Sequence, residues 1–218
     1  LLLCSRQAGK STAAAALALR AALLEAPALV LLLSPTLRQS AELLLKVLAL
    51  FGALGRPVPT VRRRDNSLKL ELANGSRILS LPGAEATVRG FSGVRLLVID
   101  EAARVPDDLY RAVRPMLAVS GGRLLVLSTP FGRRGWFYDE WMGVGATGWH
   151  KVKVTADQVP RISPAFLAEE KAALGERWYR QEYFCVFMEM MGAVFSAEEI
   201  DALTAVPVAA LTLPGLSP

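Results

Sequence analysis

A Gly-Lys-Ser triplet set between an apolar run and a long glycine-free stretch constrains this chain more than any other feature. Leu1-Leu2-Leu3-Cys4 reads as a buried strand, and the Ala/Leu-rich residues from Lys10 to about Glu25 read as a helix. Ser5-Arg6-Gln7-Ala8-Gly9-Lys10-Ser11-Thr12 joins them, which is the context of a phosphate-binding loop. In such a loop the amides of a helix N-terminus face an anion, and Lys10 supplies a point charge for β- and γ-phosphates. The Ser11 hydroxyl suits Mg²⁺. Where the pattern has its first glycine, this chain has Cys4, so the loop is a variant. A Gly-Lys-Ser also begins ordinary helices, and a second signal is needed.

That signal is Leu96-Leu97-Val98-Ile99-Asp100-Glu101, an apolar strand followed by two acids. It puts both carboxylates at the carboxyl end of a buried parallel strand, where α/β sheets bind ligands. Asp100 there serves the Mg²⁺ shell, and Glu101 orients and deprotonates a water attacking a γ-phosphate. A third strand, Leu124–Leu127, ends in Ser128-Thr129-Pro130. If it lies between the other two, Ser128 or Thr129 stands beside that water; otherwise these are turn formers closing a strand.

The segments between follow the same alternation. Ala28–Leu33 reads as a strand and Leu37–Leu54 as a helix. Leu68–Leu72 and Arg77–Leu81 alternate around Asn74-Gly75, predicting a β-hairpin inserted in the pattern. Pro106 to about Leu117 is a helix kinked or ended by Pro115, Trp149–Thr155 a late strand, and Ser163-Pro164 starts a helix to Leu174, with Arg177–Phe187 helical after it. Residues 1–192 are expected to form one domain and 193–218, rich in proline toward its end, a linker.

Composition narrows the class further. With 52% hydrophobic and 21% charged residues the chain has a core to bury and is not a disordered tail. The net charge is +5, and 19 of the 25 basic residues are arginine, which permits nucleic acid without requiring it. Two cysteines far apart, Cys4 and Cys185, point to a reducing compartment. Arg20, Glu25 and Pro27 interrupt the greasiest stretch, which excludes it as a membrane span. The chain starts without methionine inside an apolar run, as part of a longer protein would. Arg62-Arg63-Arg64 and Arg133-Arg134 read as solvated faces, His150 as a packing residue, and the aromatics Trp136, Phe137, Tyr138 and Trp141 as core.

Taken in order, Cys4–Ser11, Ser34-Pro35-Thr36-Leu37-Arg38-Gln39-Ser40, Arg89-Gly90-Phe91 ahead of Val98–Ala102, and Leu127-Ser128-Thr129-Pro130 resemble the ATPase domain of phage terminase large subunits. The likeness continues through Asn74-Gly75-Ser76, Thr155-Ala156, Arg161-Ile162-Ser163 and Gln181-Glu182-Tyr183. The resemblance implies a P-loop NTPase of the additional-strand, RecA-like type, a three-layer α/β/α sandwich with a mainly parallel sheet. It implies ATP and Mg²⁺ as ligands and a motor that packages double-stranded DNA. The partners implied are the portal protein, the terminase small subunit and further copies in a ring, at the procapsid in the host cytoplasm.

By the same resemblance Arg6 contacts phosphates, Arg89 is a finger acting on a neighbouring subunit, and Ser128 and Thr129 form a coupling motif. An adenine-contacting segment upstream and an RNase H-like nuclease downstream belong to the family's pattern and fall outside these residues. Two other readings stand beside it: a helicase, whose acidic and Ser-X-Thr motifs look alike, and a prophage remnant that binds without hydrolysis.

Overall fold

The computed structural model describes residues 1–61, 68–83, 88, 90–143, 148–189 and 202. The chain divides into two units, Leu1–Met188 and Glu189–Pro218. Of the second, only Glu189 and Ala202 are among the described residues, so the expected linker lies almost wholly outside them.

The first unit is built on a seven-stranded sheet. Its strands are β1 (Leu2–Cys4), β2 (Leu29–Ser34), β3 (Lys69–Glu71), β4 (Arg77–Pro82), β5 (Val94–Asp100), β6 (Arg123–Ser128) and β7 (Val152–Val154), in the order β3-β4-β2-β5-β6-β1-β7. All neighbours run parallel except β3 and β4. β6 therefore does lie between the loop strand β1 and the acidic strand β5, as the additional-strand arrangement requires. The Asn74-Gly75 turn forms, with Gly75 at φ 84, but the hairpin is no excursion: β4 pairs with β2 and the ribbon completes one edge of the main sheet.

Helices cover both faces because the central strands are apolar on both. Val30, Leu32, Leu96 and Val98 face α1 (Lys10–Leu24) and α2 (Leu37–Ala53). Leu31, Leu33, Leu97 and Ile99 face α3 (Asp107–Val113) and α4 (Gly135–Met142). In α1 the buried positions are mostly alanine, at 14, 15, 18, 21 and 22, which strengthens the helix and lets its backbone approach the sheet closely. Thr36 caps α2 by accepting from the Gln39 N–H at 3.3 Å. The fifth helix, α5 (Pro164–Phe184), is capped by Ser163, carries Pro164 in its first turn and breaks at Gly175, where φ is 74.

Pro115 acts as expected: α3 ends at Val113 and passes into a 3₁₀ turn over Arg114–Leu117. The aromatic cluster is core, with Trp136 stacked 3.8 Å from Tyr110 and its Nε1 donating to the Val105 carbonyl. Two expectations need correction. The late strand is only Val152–Val154, because an edge strand pairing with three-residue β1 alone has no more partner to follow. His150 therefore precedes the strand, and it is exposed rather than packed; its carbonyl, not its ring, is used, accepting from the Leu1 nitrogen at 2.8 Å. Arg62-Arg63-Arg64 lie outside the described residues, while Arg133 and Arg134 are exposed.

Candidate active site at the carboxyl edge of the sheet

β1 is hydrogen-bonded on both sides, so the loop after it emerges at a fixed point of the sheet's carboxyl edge. The loop is then held from outside: Ser5 N–H donates to the Val154 carbonyl at 2.8 Å, and Arg6 N–H to the Glu182 carbonyl at 2.9 Å. Gln7 (φ 59) and Gly9 (φ 87) supply the reversal into α1. Gly9 is favoured by its positive φ; the nearest atom to a Cβ there would be Nη2 of Arg161 at 2.8 Å, the end of a flexible side chain that can move aside. Cys4 needs no glycine's freedom: it is the last residue of β1, paired with Val154, with no positive φ. That explains the departure from the loop pattern.

The two distant signals meet here. Nζ of Lys10 is 2.9 Å from Oε1 of Glu101, both side chains being mostly buried. The Ser11 hydroxyl donates to Oδ2 of Asp100 at 3.1 Å, and the Glu101 N–H to Oδ1 at 2.9 Å. Burial pushes the Asp100 carboxyl above its ordinary range and the charge of Glu101 adds to this, against the opposing pull of Lys10, Ser11 and the Glu101 amide. A serine hydroxyl and a carboxylate, both hard oxygen donors, fit a Mg²⁺ ion that keeps several waters and takes phosphate oxygens. Among the described residues no cluster of three or more His, Cys, Asp or Glu offers an all-protein metal site.

Glu101 sits in the left-handed region, φ 51 and ψ 42, a costly conformation for a side chain of its kind. It opens a 3₁₀ turn over Ala102–Arg104, and that turn is pinned when the Ala103 N–H donates to the buried Ser128 hydroxyl at 3.1 Å. The two hydroxyls of the third motif therefore differ: Ser128 braces the turn behind Glu101, while Thr129 lines the cavity.

That cavity has a volume of about 640 Å³, within the range of small-molecule sites. Of the sequence-predicted residues, Arg6, Gln7, Gly9, Lys10, Ser11, Thr12, Glu101 and Thr129 line it. Ser5, Ala8, Asp100 and Ser128 are not among its lining residues, and Arg89 lies outside the described residues. Gln39, Lys46, Arg104 and Arg161 also line the cavity and went unassigned in the sequence. Arg104 stacks on the Phe131 ring 4.2 Å away, with Nε 4.0 Å from Glu101. Arg161 donates to the Gln7 carbonyl through Nη2 at 2.6 Å and Nε at 3.2 Å. Arg104 had a local signal, three residues beyond Glu101; Arg161 fell within the Arg161-Ile162-Ser163 block of the likeness but carried no role, since only the tertiary fold brings it to the loop. The lining is rich in cations, which suits a polyanionic ligand.

The thiols take no part in this chemistry. Burial pushes the Cys185 thiol up to about 12 and also raises that of Cys4, so both stay protonated at neutral pH.

Strand order, loop and acidic strand end define the P-loop NTPase fold of the additional-strand class. The description "Terminase large subunit, T4likevirus-type, N-terminal" matches residues 1–202, and the chain belongs to that family. The terminase large subunit of Thermus phage G20c is 27% identical over 236 residues, covering 93% of this chain and 48% of its own length. That of Escherichia phage T5 is 28% identical over 143 residues, 62% of this chain and 32% of its own. The chain thus spans about half the length of the Thermus phage relative.

Among solved structures, the large terminase ATPase domain of Thermus phage P74-26 superposes with a TM-score of 0.72 at 20% identity, over 86% of this chain and 88% of that one. The large terminase of another thermophilic bacteriophage, solved in complex with ATP-gamma-S, gives 0.70 at 15% identity, over 86% and 47%. At these identities the superpositions establish the fold. No helix among the described residues is long and apolar enough to cross a membrane.

Proposed function

We propose that this chain hydrolyses ATP as the motor domain of a viral DNA-packaging terminase. The observation that carries the reading is the meeting of Lys10 with Glu101 at 2.9 Å and of Ser11 with Asp100 at 3.1 Å, four side chains from distant parts of the sequence at one cavity. Relatives in the family are terminase large subunits, and the thermophilic phage terminase solved with ATP-gamma-S supports ATP as the nucleotide.

The triphosphate lies along the loop, where the first amides of α1 have no intrahelical partner and face the anion. Lys10 exchanges its partner Glu101 for β- and γ-phosphate oxygens. Glu101, released, holds a water in line with the γ-phosphorus and takes its proton as the oxygen attacks; the bond to the β-phosphate oxygen breaks and ADP leaves. Ser11 and Asp100 would hold Mg²⁺, which neutralises charge on the β- and γ-phosphates when bound. Ser128 keeps Glu101 in its strained position, and Thr129 reports the state of the γ-phosphate to β6.

Arg6 contributes a further phosphate contact, and Arg89 acts on the nucleotide of a neighbouring copy in a ring. The substrate moved is double-stranded DNA, with the portal protein and the small subunit as partners; residues 1–192 form the ATPase domain and 193–218 the link toward further protein. ATP turnover by the protein and by Glu101→Gln tests the assignment. The substitution is expected to lower turnover by roughly 100- to 10,000-fold while nucleotide binding persists. Equal turnover in both would remove Glu101 from the reaction.

A further inference from the structure

Arg161 is anchored where none of the assigned chemistry needs it. It follows β7, in the turn between the 3₁₀ residues Ala156–Gln158 and the Ser163 cap of α5, and it takes one loop carbonyl, that of Gln7, through Nη2 at 2.6 Å and Nε at 3.2 Å. The turn itself is fixed. Thr155 and Gln158 form a capping box, with the Thr155 N–H donating to Oε1 of Gln158 at 2.9 Å, and the Ile162 N–H donates to the Val159 carbonyl at 2.9 Å. Two donors of a planar fork on one acceptor hold the guanidinium by a single edge.

That anchor lies on the outside of the loop. In a trans peptide the carbonyl and the following N–H point opposite ways. The Ala8 N–H turns inward across the loop toward the Ser5 carbonyl, 3.5 Å away, so the Gln7 carbonyl turns outward. Phosphates meet the amide side. Position along the sheet edge agrees: Glu101 follows β5 and Thr129 follows β6, both on one side of β1, while Arg161 follows β7 on the other. One cavity is lined from Glu101 and Thr129 to Arg161, so a nucleotide whose γ-phosphate meets Glu101 has its nucleoside end toward Arg161. The guanidinium lies alongside Gly9, with Cζ and Nη1 both 3.8 Å from where a Cβ would stand. Arg161 is exposed and, among the described residues, pairs with no carboxylate, unlike Arg6, Lys10 and Arg104 in the same cavity.

We propose that Arg161 is the shelf for the base: its guanidinium face stacks on the adenine ring while one edge stays on the Gln7 carbonyl. This rests on the reading of the loop as a triphosphate site. A guanidinium and a purine are both planar and delocalised, and arginine stacks on aromatic faces. Because the anchor is made to the loop itself, the shelf keeps a fixed distance from the phosphates, and a side chain already held there loses little further freedom when the ligand arrives.

The test is the Kd of the whole chain and of Arg161→Ala for ATP-gamma-S, ADP and inorganic tripolyphosphate, each with Mg²⁺, with thermal melting as the check on folding. ATP-gamma-S and ADP, which carry the base, should each bind about tenfold more weakly to the variant. Tripolyphosphate, which has no base, should bind it as it binds the parent. A loss shared by tripolyphosphate would make Arg161 a phosphate contact or a brace of the loop, and a loss for ATP-gamma-S alone would make it a γ-phosphate contact. Either result overturns the proposal, as does parent-like binding of all three. Should Arg161→Ala fail to fold, Arg161→Lys decides the matter: it keeps a charge and a donor for Gln7 but no plane, so it should lose affinity for both nucleotides, by less, and none for tripolyphosphate; parent-like nucleotide binding overturns the shelf. A parent that binds none of the three ligands would instead refute the triphosphate reading, and the proposal with it.

Discussion

Two ionic clusters lie at opposite edges of the same sheet, and they differ in what surrounds them. At the amino edge, Glu25 accepts from Arg95 at 2.7 Å and from Arg123, with Arg20 3.3 Å away. Those arginines are roughly half exposed, so water and salt screen every pair. At the carboxyl edge, Lys10 and Glu101 are 12% and 19% exposed, and Asp100 behind them is buried. Similar residue types give a solvated brace in one place and a poised charge array in the other. The exposure of the partners and the strained backbone make the difference: Glu25 is itself only 17% exposed, but its arginines are about half exposed and its own backbone has no positive φ.

Substitutions at the two edges should therefore separate activity from stability. Glu101→Gln is the extreme case, a loss of turnover of roughly two to four orders of magnitude with little change in melting temperature. Ser128→Ala comes next. It leaves the Ala103 amide without its 3.1 Å acceptor and frees the turn that holds Glu101, costing about 1–2 kcal/mol in a denaturation curve and lowering kcat about tenfold by misplacing the base. A Ser128→Ala protein with parent kcat would detach β6 from the chemistry.

Asp100→Asn should be inactive yet more stable at neutral pH. Burial raises the folded-state pKa of Asp100, so the folded protein holds its proton to higher pH than the unfolded chain does. Stability then falls as pH rises from near 3.8 through that raised pKa. Asparagine removes this fall while its amide still meets Ser11 and the Glu101 N–H. Melting temperatures of parent and variant should converge as pH drops toward the unfolded-state value and diverge above it; a gap of opposite sign at pH 7 contradicts the account.

Glu25→Gln is the smallest effect, a slight loss of stability that added salt erases and no change in turnover. Its carboxyl is held below the ordinary range, first by the Arg95 hydrogen bond, so the loss should be present at neutral pH and vanish as pH falls through that depressed pKa. Turnover falling with it would erase the contrast between the edges.

The carboxyl edge was the more legible of the two because its chemistry is written locally. Gly9-Lys10-Ser11 and Asp100-Glu101 are contiguous and follow strands whose apolar runs are long enough to recognise. Strand order was open in the sequence, since β6 could sit anywhere among parallel neighbours until the pairings Leu97↔Leu124 and Leu2↔Leu127 fixed it. Arg161 and Lys46 reach the cavity only by tertiary folding and have no spacing to betray them. His150 went wrong for an opposite reason: apolar neighbours suggested a strand that its short partner cannot extend. The Glu25 cluster was invisible, three arginines spread from position 20 to 123 that one carboxylate gathers.

The central claim is that the lysine of the loop and the acids of β5 serve one nucleotide, and a crystal structure with Mg²⁺ and ATP-gamma-S tests it most directly. Lys10 should have left Glu101 for the β- and γ-phosphate oxygens, with Ser11 and Asp100 at the metal and Glu101 facing the γ-phosphorus across a water. A nucleotide bound elsewhere, with the 2.9 Å Lys10–Glu101 pair intact, would contradict it.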